Sequence, residues 1–115
     1  MSRKSYSRKA VKPQLHAAVF AALGDTTRLS LVARLADGQP HSISQLTAGS
    51  KLTRQAITKH LRVLESVGMV RCAHRGRESL FEFSPRPIEG LKEYLDLVSG
   101  QREEALSRLK SFVEA

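Results

Sequence analysis

The chain has 115 residues, with 19 Lys and Arg against 11 Asp and Glu, a formal net charge of +8; apolar residues make up 41% and aromatics 5%. This length fits one compact domain and excludes a (β/α) barrel or a doubly wound sheet with a second domain. A single Cys excludes a disulfide framework or an all-Cys metal site within one chain and suits a reducing cytoplasm, and no apolar run approaches the ~20 residues of a membrane helix.

Residues 1–12 carry Arg3, Lys4, Arg8, Lys9 and Lys12 and no acid. This polar, Ser-rich stretch reads as a disordered basic arm and lacks the apolar core of a secretory signal. Residues 13–84 hold nine basic and five acidic side chains, and residues 85–115 hold five and six. Positive charge thus gathers in the first three quarters, which points to a polyanion partner there and to a different role for the C-terminal segment.

From about Pro13 to Leu23, the residues Leu15, Val19, Ala22 and Leu23 recur on one helical face, and Gly24 ends the pattern. Asp25 is placed to cap a second helix. There Leu29, Val32, Ala33 and Ala36 share a face with Leu31 and Leu35 beside it, so burial on most sides is expected. Asp37-Gly38-Gln39-Pro40 reads as a turn. Ser42-Ile43-Ser44-Gln45 has capping-box spacing and starts a short helix that Ala48-Gly49-Ser50 breaks. Thr53 can cap the next helix, which extends to about Val67 before Gly68. Two helices joined by a short turn form a helix-turn-helix pattern.

In helix 53–67, Ile57, Leu61 and Leu64 face the core, broadened by Ala56, Val63 and Val67. The opposite side shows Arg54, Gln55, Thr58, Lys59 and Arg62 without an acid among them. A helix fits the major groove of duplex DNA, where Arg can pair with guanine, Gln with adenine, and Thr can offer a hydroxyl or methyl. Lys suits phosphate contact. After Gly68 the alternation of Val70, Cys72 and Leu80-Phe81-Glu82-Phe83 around Arg75-Gly76-Arg77-Glu78 predicts a hairpin, with Gly76 supplying positive φ in the turn. Phe81 and Phe83 are expected inside, and Cys72 shares the inward face with Val70. Ser84-Pro85 opens a last helical region along Ile88, Leu91, Leu95 and Val98, interrupted at Gly100 and resumed through Ala105, Leu106, Leu109, Phe112 and Val113.

Three stretches carry a resemblance. They are Phe20-Ala21-Ala22-Leu23-Gly24-Asp25-Thr26-Thr27-Arg28, the run Leu52 to Glu65 with its core Lys59-His60-Leu61-Arg62-Val63-Leu64, and Gly68-Met69-Val70 leading to Gly76-Arg77. In this order, across roughly residues 15–84, the chain resembles the ArsR-type family of bacterial winged helix-turn-helix repressors. The resemblance implies a mainly α fold with a small β-hairpin, dimerising through N- and C-terminal helices. It divides the chain into the arm 1–12, a DNA-binding domain 13–84 and dimerisation helices 85–115. It implies a homodimer in the bacterial cytoplasm, associated with the nucleoid, binding a palindromic operator in double-stranded DNA and blocking transcription. DNA contacts are expected from Lys51, Thr53, Arg54, Gln55, Thr58, Lys59 and Arg62 and, in a wing at 71–79, from Arg75 and Arg77. The dimer interface is expected at Leu15, Val19, Leu91, Leu95, Val98, Leu106, Leu109 and Phe112.

Many relatives sense metals, yet the ligands for that role are missing. Residues 42–49 lack Cys and His, residues 85–115 lack His, and His16, His41, His60 and His74 form no pair at i+3 or i+4. No metal or other cofactor is expected, and the effector is left open. Cys72 stays as the one thiol-sensing candidate, flanked by Arg71 and His74. An enzyme is disfavoured, because no Gly-rich phosphate loop, nucleophile triad or carboxylate cluster is present. A winged-helix module for protein contact is the alternative outside the DNA-binding class.

Overall fold

The computed structural model describes residues 13–114, so the expected basic arm at 1–12 lies outside the described residues. The elements are α1 (Pro13–Leu23), α2 (Thr26–Leu35), β1 (His41–Ser42), α3 (Ile43–Thr47), α4 (Arg54–Ser66), β2 (Val70–Arg75), β3 (Glu78–Phe83) and α5 (Arg86–Glu114). The helices pack around a three-stranded antiparallel sheet of order β1-β3-β2.

Local chemistry sets the helix starts. The Asp25 carboxylate accepts from the Arg28 amide at 3.0 Å and caps α2. At α3 the capping box closes in both directions, with Gln45 N donating to Ser42 Oγ and Ser42 N donating to Gln45 Oε1. The Thr53 hydroxyl oxygen accepts from Ala56 N and caps α4. Each such cap stabilises its helix by about 1 kcal/mol. Arg34, in the last turn of α2, donates to the Gln45 and Leu46 carbonyls at 2.8 Å each, which satisfies the C-terminal turn of the five-residue α3.

The wing is a two-residue hairpin. Arg75 pairs with Glu78, and Gly76 takes φ 62° between them, a backbone state that a side chain would strain. The third strand, β1, was not expected. Its pairs, His41 with Phe81 and Ser42 with Leu80, join positions far apart in the chain and leave no local periodicity.

The core is built from Val19, Ala22, Leu31, Leu35, Leu46, Ile57, Leu61, Leu64, Met69, Val70, Phe81 and Leu91. Several expected faces are corrected here. α2 buries Leu31 and Leu35, whereas Leu29 is 53% exposed and Ala33 and Ala36 are also outside. The helix has leucines on several sides, so its own pattern did not decide which side packs. α1 buries His16 with Val19 and Ala22 and turns Leu15 outward. The His16 ring lies 5.0 Å from the Tyr94 ring. Val63 is exposed rather than part of the core face of α4. Cys72 is half-buried, packs against the core and pairs across the ladder with Phe81.

Gly100 does not interrupt the last helical region. α5 is continuous over 29 residues. One glycine costs a helix about 1 kcal/mol relative to Ala, which the flanking turns absorb. A helix of this length spans about 43 Å. It accounts for principal extents of 68 × 34 × 23 Å and a radius of gyration of 18.9 Å, against about 13 Å for a compact chain of this size. From residue 101 to 114 every position is exposed.

Candidate nucleic-acid interface

α4 divides into two faces. Ile57, Leu61 and Leu64 are buried, and burial on this scale stabilises by roughly 1.5–3 kcal/mol per side chain. Arg54, Gln55, Lys59 and Arg62 are exposed on the other side, with Thr58 half-buried between them. Lys51 and Thr53 lie exposed in the turn before the helix. The residues expected to read DNA therefore occupy one solvent-facing surface. Thr53 has a second duty, since its oxygen caps the helix.

Three of these side chains have partners that narrow what they can do. Thr58 Oγ1 donates to the Arg54 carbonyl at 2.7 Å, which leaves its methyl group and oxygen lone pairs for a ligand. Arg62 lies 3.9 Å from Glu65, an exposed ion pair of little energetic weight. Arg54 reaches back to α3, where its Nη1 donates to Ser44 Oγ at 2.9 Å.

The wing stands beside this surface. Arg71, Arg75 and Arg77 are all exposed, and Arg71 is held 3.3 Å from Glu82 on the neighbouring strand. Arg75 and Arg77 flank the Gly76 turn. A cleft of about 150 Å³ lies between the start of α3 (Ser42, Ile43, Ser44) and the wing (Arg77, Glu78, Ser79), with Arg54 of α4 also on its lining.

Sequence reasoning missed the support behind the interface. Arg28 donates from Nε to the Ala22 carbonyl and lies 3.1 Å from His60 Nδ1 through its Nη1. The Asp25 carboxylate is 3.7 Å from the same His60 nitrogen. Asp25, Arg28 and His60 thus join the α1–α2 corner to α4. The Arg28 amide, followed by the nearby Arg28 and His60 charges, holds the Asp25 carboxyl below its ordinary pKa. All three residues stand in the two most distinctive stretches of the sequence, but nothing local pairs positions 32 apart.

The interface residues expected between copies divide in two. Val19 and Leu91 are 2% and 5% exposed and belong to the protomer's own core, so they leave no face for a partner. Leu15, Leu95, Val98, Leu106, Leu109 and Phe112 remain on the surface. Among the described residues, no group of three or more His, Cys, Asp and Glu is placed to hold a metal ion, and no helix is long and apolar enough to cross a membrane.

Residues 23–73 match the family model of a helix-turn-helix domain. The chain is 35% identical over 80 residues to the HTH-type transcriptional regulator YuzN of Bacillus subtilis (strain 168), covering 64% of this chain and 87% of that one. An ArsR-like transcriptional regulator from Rhodococcus sp. RHA1 superposes with a TM-score of 0.77 at 29% identity, over 86% of this chain and 92% of that one. The chain belongs to the ArsR family of winged helix-turn-helix transcriptional regulators. The fold is shared with a homodimeric winged helix-turn-helix DNA-binding domain from Mycobacterium bovis, at a TM-score of 0.63 and 20% identity over 82% of this chain and 86% of that one. Within this ArsR-family regulator, α3 and α4 are the helix-turn-helix, and β2 and β3 are the wing.

Proposed function

We propose that this regulator is a homodimeric repressor that binds a palindromic operator in double-stranded DNA, in the cytoplasm, without a metal in a sensor site and without catalysis. The cationic surface of α4, where Arg54, Gln55, Thr58, Lys59 and Arg62 meet only Glu65 as an acid, carries the reading together with the basic wing beside it. Gln55, Thr58 and Arg62 are assigned to base edges, and Lys51, Lys59, Arg75 and Arg77 to backbone phosphates, with Thr53 fixing the start of the helix. A second copy is assigned to the exposed apolar row of α5 with Leu15 of α1. Two-fold pairing sets two reading helices about 34–36 Å apart, one turn of duplex. The homodimeric relative from Mycobacterium bovis supports this assembly.

Selection of bound duplexes from a random-sequence pool, followed by sedimentation of the complex, tests the proposal. The expected product is an inverted repeat bound by two copies. Recovery of unrelated sequences, or of single half-sites bound by one copy, contradicts it.

A further inference from the structure

The side chains around the cleft between the start of α3 and the wing, into which Arg54 of α4 reaches, have a use that base reading does not explain. We propose that Arg54 and Arg77 form a two-sided clamp on a single DNA backbone phosphate, so that Arg54 positions the duplex and reads no base. The proposal rests on the DNA-binding reading above and assigns a distinct task to one part of that surface.

Arg54 is the first residue of α4, and its guanidinium is drawn back toward α3 by the 2.9 Å bond to Ser44 Oγ. One of its five N–H groups is used there, which leaves four for a ligand and fixes where they sit. Across the cleft stand Arg77 and Ser79 from the wing. With a volume of about 150 Å³, the cleft is half the size of the smallest pockets, about 300 Å³, that hold a whole small-molecule ligand. A phosphate group fits within it, and the two guanidiniums on its lining favour an anion over a neutral base. The geometry of the duplex supplies the occupant. A helix lying in the major groove and a hairpin reaching past it have between them the sugar–phosphate strand that separates the two grooves. Two guanidiniums on one phosphate make short, charge-assisted hydrogen bonds. Glu78 also lines the cleft and opposes the phosphate, so it weakens the clamp.

The test measures binding against salt concentration for a duplex selected from a random pool by the wild-type protein and for a scrambled duplex of equal length. Wild-type preference for the selected duplex establishes DNA reading by itself, and its absence defeats that reading whatever the clamp does. Given that preference, Arg54→Ala and Arg77→Ala are each expected to flatten the salt slope. Their combination is expected to remove about 1 from the slope per half-site, because one phosphate is lost rather than two. The preference for the selected duplex is expected to stay within about twofold in Arg54→Ala, since phosphate contacts carry no sequence information. Glu78→Gln is expected to tighten both duplexes by the same factor. A combined slope loss of about 2 per half-site, or a preference that falls by about fivefold or more in Arg54→Ala, overturns the clamp.

Discussion

The two longest helices treat their apolar residues in opposite ways. α4 hides Ile57, Leu61 and Leu64 and shows cations to solvent. α5 hides Leu91 and then leaves Leu95, Val98, Leu106, Leu109 and Phe112 outside, the last two at 60% and 82% exposure. One helix is complete as a packed element and incomplete in charge. The other is balanced in charge and incomplete in packing. A surface rich in cations asks for a polyanion, whereas an apolar row asks for another apolar surface, and the two needs lie on different parts of the molecule.

Changes on the α5 side are expected to have the largest effects. Leu109→Asp places a charge within the exposed row, toward its C-terminal end. It is expected to yield monomer in sedimentation and to weaken binding to a two-half-site duplex on the order of 100-fold, the advantage that linked binding confers. A variant that still sediments as a dimer moves the interface elsewhere. On the α4 side, Gln55→Ala is expected to cost about 1–3 kcal/mol at one base position and little on scrambled DNA. Lys59→Ala provides the contrast, lowering binding to both duplexes alike and the salt slope by about 1 per half-site. Equal losses on both duplexes for Gln55→Ala would erase the distinction between reading and holding.

The smallest expected effect concerns the support behind α4. The Asp25 carboxyl is held below its ordinary pKa by the Arg28 amide and then by the Arg28 and His60 charges. A depressed acid contributes stability that is present above its unfolded pKa, about 4, and lost as pH falls through the folded value. Asp25→Asn keeps a capping oxygen but removes the titration. Thermal unfolding of the variant should therefore vary less with pH below about 4 than that of the wild type. An unchanged acid limb assigns the loss of stability to other carboxyls.

Much of the fold was legible because its causes are local. Asp25, Ser42 and Thr53 cap helices by bonding to amides three residues ahead, and such signals survive in a bare sequence. The core face of α4 followed from the spacing of Ile57, Leu61 and Leu64. The polar face was legible for the same reason, since one helix carries both. Non-local causes stayed hidden. The β1 pairing, the choice of Leu31 and Leu35 over Leu29, and the place of His16 against Tyr94 depend on elements that meet only in three dimensions. Gly100 misled because a weak local preference yielded to the cooperativity of a long helix. At the interface, exposure of the expected residues followed from the pattern, but the bond from Arg54 to Ser44 required the turn to be built.

Arg28 has a mechanical consequence. Its guanidinium grips the last carbonyls of α1, at Ala21 and Ala22, and also meets His60 in the middle of α4. Leu15, on the outward side of α1, is one of the residues left for a second copy. A tilt of α1 is therefore passed through this linkage, and through the direct packing of α1 on α4, to the helix that carries Gln55 and Arg62. In the proposed dimer, the spacing of two such helices follows from how each α1 is seated, and Arg28 helps to hold that seating.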